Sequence, residues 1–149
     1  MTLSPRRSVI ATLLLALTAI VGTASPAAAA EPRPSFQIFY GPDCATAYRT
    51  YLGPTTVGVI RDEPWINDTF NASSASSPGY GQEIFENAAS TRIQPRTRVA
   101  ILDSYGDWWW ASNSSYSTSR CVNLATGFAP DRSIRNDNNG FKVTAYNTF

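Results

Sequence analysis

The chain has 149 residues, with twelve Lys plus Arg against eleven Asp plus Glu, and no histidine. Nucleic acid and anionic membranes are held largely through accumulated positive charge, so this near-neutral balance makes neither an expected partner. The missing histidine removes the Ser-His-Asp triad, the Cys-His dyad, the paired-histidine zinc site and the histidine general base together.

In chain order, residues 1–30 carry Arg6 and Arg7, an apolar run over 9–21 and four alanines at 27–30. This is the pattern of a secretory signal peptide, too short in its apolar part to span a bilayer and ending in the small side chains that a signal peptidase reads. Pro5 before the arginine pair and Ser8 after it make a poor twin-arginine signal, so ordinary secretion with cleavage after Ala30 is expected, leaving no membrane segment. Without Arg6 and Arg7, nine arginines and Lys142 face eleven acids, a net charge of about −1. The rest of the chain suits one domain.

Residues 31–35, with Pro32 and Pro34, read as a short extended tail, and 36–149 as the domain. Strand signals cover 36–40, stopped by Gly41, Pro42 and Asp43, then 46–52 and the β-branched run 55–60. The stretch 61–80 is rich in Ser, Asn and Pro and predicts a long surface loop, with Trp65 and Phe70 pinned back onto the body. Short strands are expected at 82–85, 98–102, 107–111, 120–124 and 140–147, separated by turn residues. No window holds a helical period, so the fold class is all-β, a sandwich or barrel. The run 141–149 ends on an aromatic residue and should pair into a sheet, because a free apolar tail invites aggregation.

Cys44 and Cys121, in an exported chain, read as one disulfide, with two free thiols as the alternative. Closing so long a loop is worth roughly 4 to 5 kcal/mol on chain-entropy grounds. Asn67, Asn71 and Asn113 each open a glycosylation acceptor pattern, read as loop composition beside an alanine-rich leader. Carboxylate chemistry is left to Asp62 with Glu63, which point to opposite faces if extended, and to Asp103 with Asp107, whose place around a turn favours hydrogen bonding over catalysis. No nucleotide-cradling glycine pattern is present; no enzyme activity, cofactor or metal is expected. In a strand, Trp108 and Trp110 face one side and Trp109 the other, which buries at least one indole and makes the cluster, with Tyr105, a candidate aromatic platform.

Phe85, Ser90 and Arg92 recur 43 residues later as Phe128, Ser133 and Arg135, a spacing that suggests a structural unit used twice. With the strand 98–102, the Tyr105 and Gly106 turn and the Trp-bearing strand, this resembles the Greek-key motif of secreted βγ-crystallin-like proteins, and the actinobacterial metalloproteinase-inhibitor family that shares it. The resemblance implies a βγ-crystallin-like sandwich, with Ser90 and Ser133 as turn residues closing each motif. Its calcium pattern is approximated over 86–91, from Glu86 to Thr91, but lost at Ala129, too few oxygens for tight binding. It also implies a disulfide-braced inhibitory loop, best placed at Ser119 to Leu124 with Cys121 and Val122 flanking the scissile bond. A half-buried strand is the competing reading of the same residues. The expected function is a secreted protein-binding module, a protease inhibitor, whose partner is a secreted protease. The alternative is a cell-envelope or glycan-binding module that takes a cell-wall glycan on Tyr105, Trp108, Trp109 and Trp110.

Overall fold

A computed structural model describes residues 32–128 and 131–147. The leader, residues 1–30, lies outside the described residues, as do Ala129 and the last two positions of the run 141–149. The elements are β1 (Ser35–Phe39), β2 (Tyr48–Leu52), β3 (Arg61–Pro64), β4 (Ser90–Ile93), β5 (Thr97–Leu102), β6 (Trp108–Asn113), β7 (Arg120–Asn123) and β8 (Gly140–Ala145). Among the described residues the one helical turn is a 3-10 turn, Pro42–Cys44.

Two four-stranded sheets form, in the orders β2-β1-β4-β7 and β3-β8-β5-β6, and every strand pairing is antiparallel. The expected all-β fold is observed, as two sheets packed face to face. The strand orders reveal an exchange. The first, second and fourth strands of each half share a sheet, while the third, β3 or β7, completes the sheet of the other half.

Alternation along the strands decides what faces inward. Phe36 and Ile38 of β1, Val99 and Ile101 of β5, and Phe141 and Val143 of β8 have no exposed surface. Phe36 meets Phe141 edge-on at 5.1 Å, and Tyr51 lies 4.4 Å from Phe141, so the two sheets share one aromatic seam. Each such side chain contributes about 1.5–3 kcal/mol by leaving water.

Four elements depart from expectation, one of them β4, a strand where none was expected. Residues 55–60 form turns and not a strand, with Val57 68% exposed and Val59 45% exposed, because β-branched residues hold a strand only where a neighbour pairs with it. The strand begins six residues later, as β3, so 61–80 is not wholly loop; the remainder is, and Trp65 and Phe70 are fully buried. The stretch 82–85 holds a single bridge, Thr69 to Glu83, and otherwise turns.

The fourth strands of the two halves, β4 and β8, start fifty residues apart, not at the 43 of the sequence echo. Glu86 and Asn136 hold the same left-handed φ, 54° and 55°. Ala89 donates its N–H to Phe39 O at 2.9 Å, and Asn139 donates to Leu102 O at 2.8 Å in the matching place. Ser90 therefore opens β4 fully buried, while Ser133 stands exposed in irregular chain seven residues before β8, and the two do not close equivalent turns.

Candidate functional site

The site is built on β6, the edge strand of the second sheet, and its neighbours. Register sets Trp110 opposite Ala100 and Trp108 opposite Leu102, while β8 brings Lys142 against Ala100 and Gly140 against Leu102. Trp108, Trp110, Ala100, Leu102 and Lys142 thus share the outer face. Ala100 is 0% exposed although it points away from the core. A methyl on the outside of a sheet loses contact with water when larger side chains on the same face cover it, and its cross-strand neighbours there are Trp110 and Lys142. Lys142 Nζ stands 4.0 Å from the centre of the Trp108 ring and 3.5 Å from Asp62 Oδ2, and the Arg98 guanidinium lies 5.1 Å from the Trp110 ring. Cations set against indole faces are held by the ring quadrupole. The result is a half-buried aromatic surface with a positive margin.

Trp109 points the other way, packs against the core and donates its Nε1–H to Asp103 Oδ2 at 2.7 Å. Asp103 organises the β5–β6 turn: its Oδ1 accepts from the N–H of Tyr105 at 3.0 Å and of Asp107 at 2.9 Å. Arg132 bonds both Asp103 and, at 2.9 Å, Asp107, and its guanidinium sits 4.8 Å from the Tyr105 ring and 5.1 Å from the Trp109 ring. Burial pushes the Asp103 carboxyl up, but the bonds from Trp109 and Asp107, the Arg132 charge and the Tyr105 N–H outweigh it, and the group is held below its ordinary value. Tyr105 stands 76% exposed at the tip.

The four aromatic candidates therefore divide. Trp108 and Trp110 form the outer platform, Tyr105 projects from the turn beside it, and Trp109 is structural. Beyond Trp110, the same face ends in a cavity of about 330 Å³ lined by Arg98, Ser112, Tyr146 and Asn147.

Cys44 and Cys121 form the disulfide, with Cα atoms 6.0 Å apart. Cys121 and Val122 lie in β7, opposite Arg92 and Thr91 of β4, at the edge of the first sheet. Cys121 is exposed, whereas Val122 is 4% exposed and packs in the core. They belong to a paired strand and not a free loop, and they sit in the other sheet from the tryptophans.

The remaining candidates are taken up by the fold. Asp62 reaches Lys142 on one face of β3, and Glu63 pairs with Arg61 at 2.7 Å on the other. In the stretch 86–91, Ser90 Oγ donates to Gly41 O at 2.6 Å and Thr91 Oγ1 to Gln37 O at 2.8 Å. Among the described residues no three acids or cysteines are placed to hold a metal ion. Asn113 is buried, its amide donating to Ile93 O and Thr118 O.

The sequence left Arg98, Arg132 and Lys142 unassigned, because each acquires its aromatic partner through cross-strand register or a long loop. Comparison with known protein families, with curated proteins and with solved structures finds no match.

Proposed function

We propose that the protein is an exported glycan-binding module, a sandwich of Greek-key, βγ-crystallin-like topology that receives sugar rings on the outer face of its second sheet. The carrying observation is the pair of indoles, Trp108 and Trp110, on one face of an edge strand, with the small side chain of Ala100 opposite Trp110. Two positions apart on a strand means about 6.8 Å between them. The C–H face of a sugar ring gains by leaving water against such a surface, and a rigid sheet loses little conformational freedom on binding. The strand exchange between halves supports the Greek-key reading. The leader pattern of residues 1–30 and the disulfide, a bond that persists in oxidising compartments, support export.

Retention of the mature protein on peptidoglycan, chitin and cellulose tests the binding. Trp108→Ala and Trp110→Ala should each weaken retention roughly tenfold, about 1.4 kcal/mol. No retention on any of the three would sink the proposal.

A second reading, protease inhibition, is favoured by one feature: Cys121 is exposed in an edge strand tied by the disulfide. An extended, tethered edge can add to a protease cleft through main-chain hydrogen bonds. With Val122 turned inward, contact would run along the strand edge and not through a Cys121–Val122 scissile bond. Titration against thermolysin-like and subtilisin-like proteases decides it, and activity unchanged at micromolar protein would exclude it.

A further inference from the structure

We propose that copies of the protein join head to tail: Val57 and Arg33, at one end of the sandwich, dock into the cleft between Ile66 and Phe85, beside Glu83, at the opposite end of the next copy. Strand register sets the two sites apart. Leu52, the last residue of β2, faces Ser35, the first of β1, and Thr144, near the close of β8, donates from Oγ1 to Val59 O at 2.9 Å. The 53–60 connection thus caps the end where β1 begins and β8 finishes. Pro64, the last residue of β3, faces Gly140, the first of β8, and just beyond them the N–H of Trp65 donates to Asn139 O at 3.0 Å and that of Glu86 to Asn138 O at 2.9 Å. Ile66, which follows Trp65, and Phe85, which precedes Glu86, therefore lie at the end where β8 begins.

Val57 is exposed because a turn presents it. Val59 donates its N–H to Thr56 O at 3.4 Å and Gly58 holds a φ of 86°, so Val57 and Gly58 are the two central residues of that turn. A turn centre needs no apolar side chain, and Leu52 and Val59, to either side of it in the chain, stand exposed as well. Arg33 lines one hollow with Val57, Pro34 and Pro54, and its Nε donates to Gly53 O at 2.8 Å, a neutral partner that leaves the charge in place. The prolines stiffen this end, which lowers the ordering cost of a contact.

The receiving cleft has a volume of about 220 Å³, room for the isopropyl group of Val57, and is lined by Ile66, Asn67, Glu83 and Phe85. Ile66 is 65% exposed and Phe85 37% exposed. Glu83 is exposed, as is Glu86 beside Phe85, and neither pairs with a cation among the described residues. Each end therefore offers apolar side chains with charge next to them, and the signs are opposite. Two like ends would set like charges together, so only unlike ends match. A contact of this kind leaves a free end on every copy, and it propagates into a ring or a filament. Such a row of copies would grip a polymeric ligand multivalently with no new contact to it.

Sedimentation velocity of the mature protein, from micromolar to millimolar concentration, tests this. Mass should rise with concentration at low salt, and less so at high salt, which screens the charge pairing. Arg33→Glu and Glu83→Arg should each weaken association at least tenfold, and the two changes in one chain should restore it, because the charges are then exchanged and still opposite. Val57→Asp spoils one end and Ile66→Asp the other, so each variant alone should stay monomeric. Mixed together they keep one intact contact between them, and the mixture should form dimers of one copy of each and stop there. All four side chains are exposed or border solvent, and circular dichroism with melting temperature confirms that the variants are folded. Wild-type protein that stays monomeric at millimolar concentration and low salt overturns the inference and leaves the cleft to a foreign partner. A single-end variant that associates as the wild type does, an exchanged pair that fails to restore association, or a mixture that stays monomeric or grows past the dimer overturns it equally. The glycan reading is untouched by any of these results, since retention on glycans is measured separately.

Discussion

Asp103 is almost sealed from water, 1% exposed, yet its partners suit only the ionised form: two backbone N–H groups, an indole N–H and the Arg132 guanidinium. Asp103→Ala should destabilise the protein by about 2 to 3 kcal/mol in urea unfolding at neutral pH, since it strands buried donors. The pH dependence follows from the lowered carboxyl. A depressed folded value contributes stability that is fully present above the unfolded value, near pH 4, and is lost as pH falls through the folded one. Unfolding midpoints measured from pH 7 down to pH 2 should therefore hold steady to about pH 4 on this account and then drop, with a smaller drop in Asp103→Ala. Glu63, held down by its bond from Arg61, adds to the acid loss in the same direction. At this scale the sequence was partly legible. The alternation of three tryptophans and the turn role of Asp103 can be read from strand periodicity and position, but Arg132, 29 residues away, has no local signal that it will reach that turn.

At the scale of elements, pairing outweighed composition. The run 55–60 has the residues of a strand and no partner, whereas β4 is only four residues, Ser90–Ile93, three of them polar or charged, and lies paired on both sides within its sheet. Ser90 and Thr91 are buried because their hydroxyls find backbone carbonyls, a satisfaction that hydrophobic patterning does not register. The loop before β4 is locked by Gly79, which holds a φ of 84° and where a Cβ would come within 2.1 Å of the Tyr40 ring. Gly79→Ala combines backbone strain with a clash and should cost about 3 kcal/mol. Gly58 has a similar φ, 86°, but open space around it, so Gly58→Ala should cost only about 1 kcal/mol. Equal losses in the two variants, measured by urea unfolding, would mean that the Tyr40 contact carries no weight.

Across the whole molecule the exchange of third strands makes the halves interdependent. The disulfide adds to this, joining the 3-10 turn of the first half to β7, the strand lent by the second. Cys44→Ala with Cys121→Ala should lower stability by about 4 kcal/mol in urea unfolding, and reducing agent should lower that of the native protein by a similar amount. A fragment of residues 31–94 lacks β7 and leaves β3 without β8, and its circular dichroism should be that of an unfolded chain.

Strand order also sets a clock for folding. The first sheet is incomplete until β7 is available, and β8, the last strand among the described residues, lies in the interior of the second sheet, between β3 and β5. A polypeptide released N-terminus first can pair β1 with β2 early, but neither sheet closes until residue 123 and residue 145 respectively have emerged. Such long-range closure makes acquisition of the native state a late and concerted event. Until then neither native sheet is closed, which is the order of events that the export proposed above would need, since an export channel for unfolded polypeptides passes only an unfolded chain.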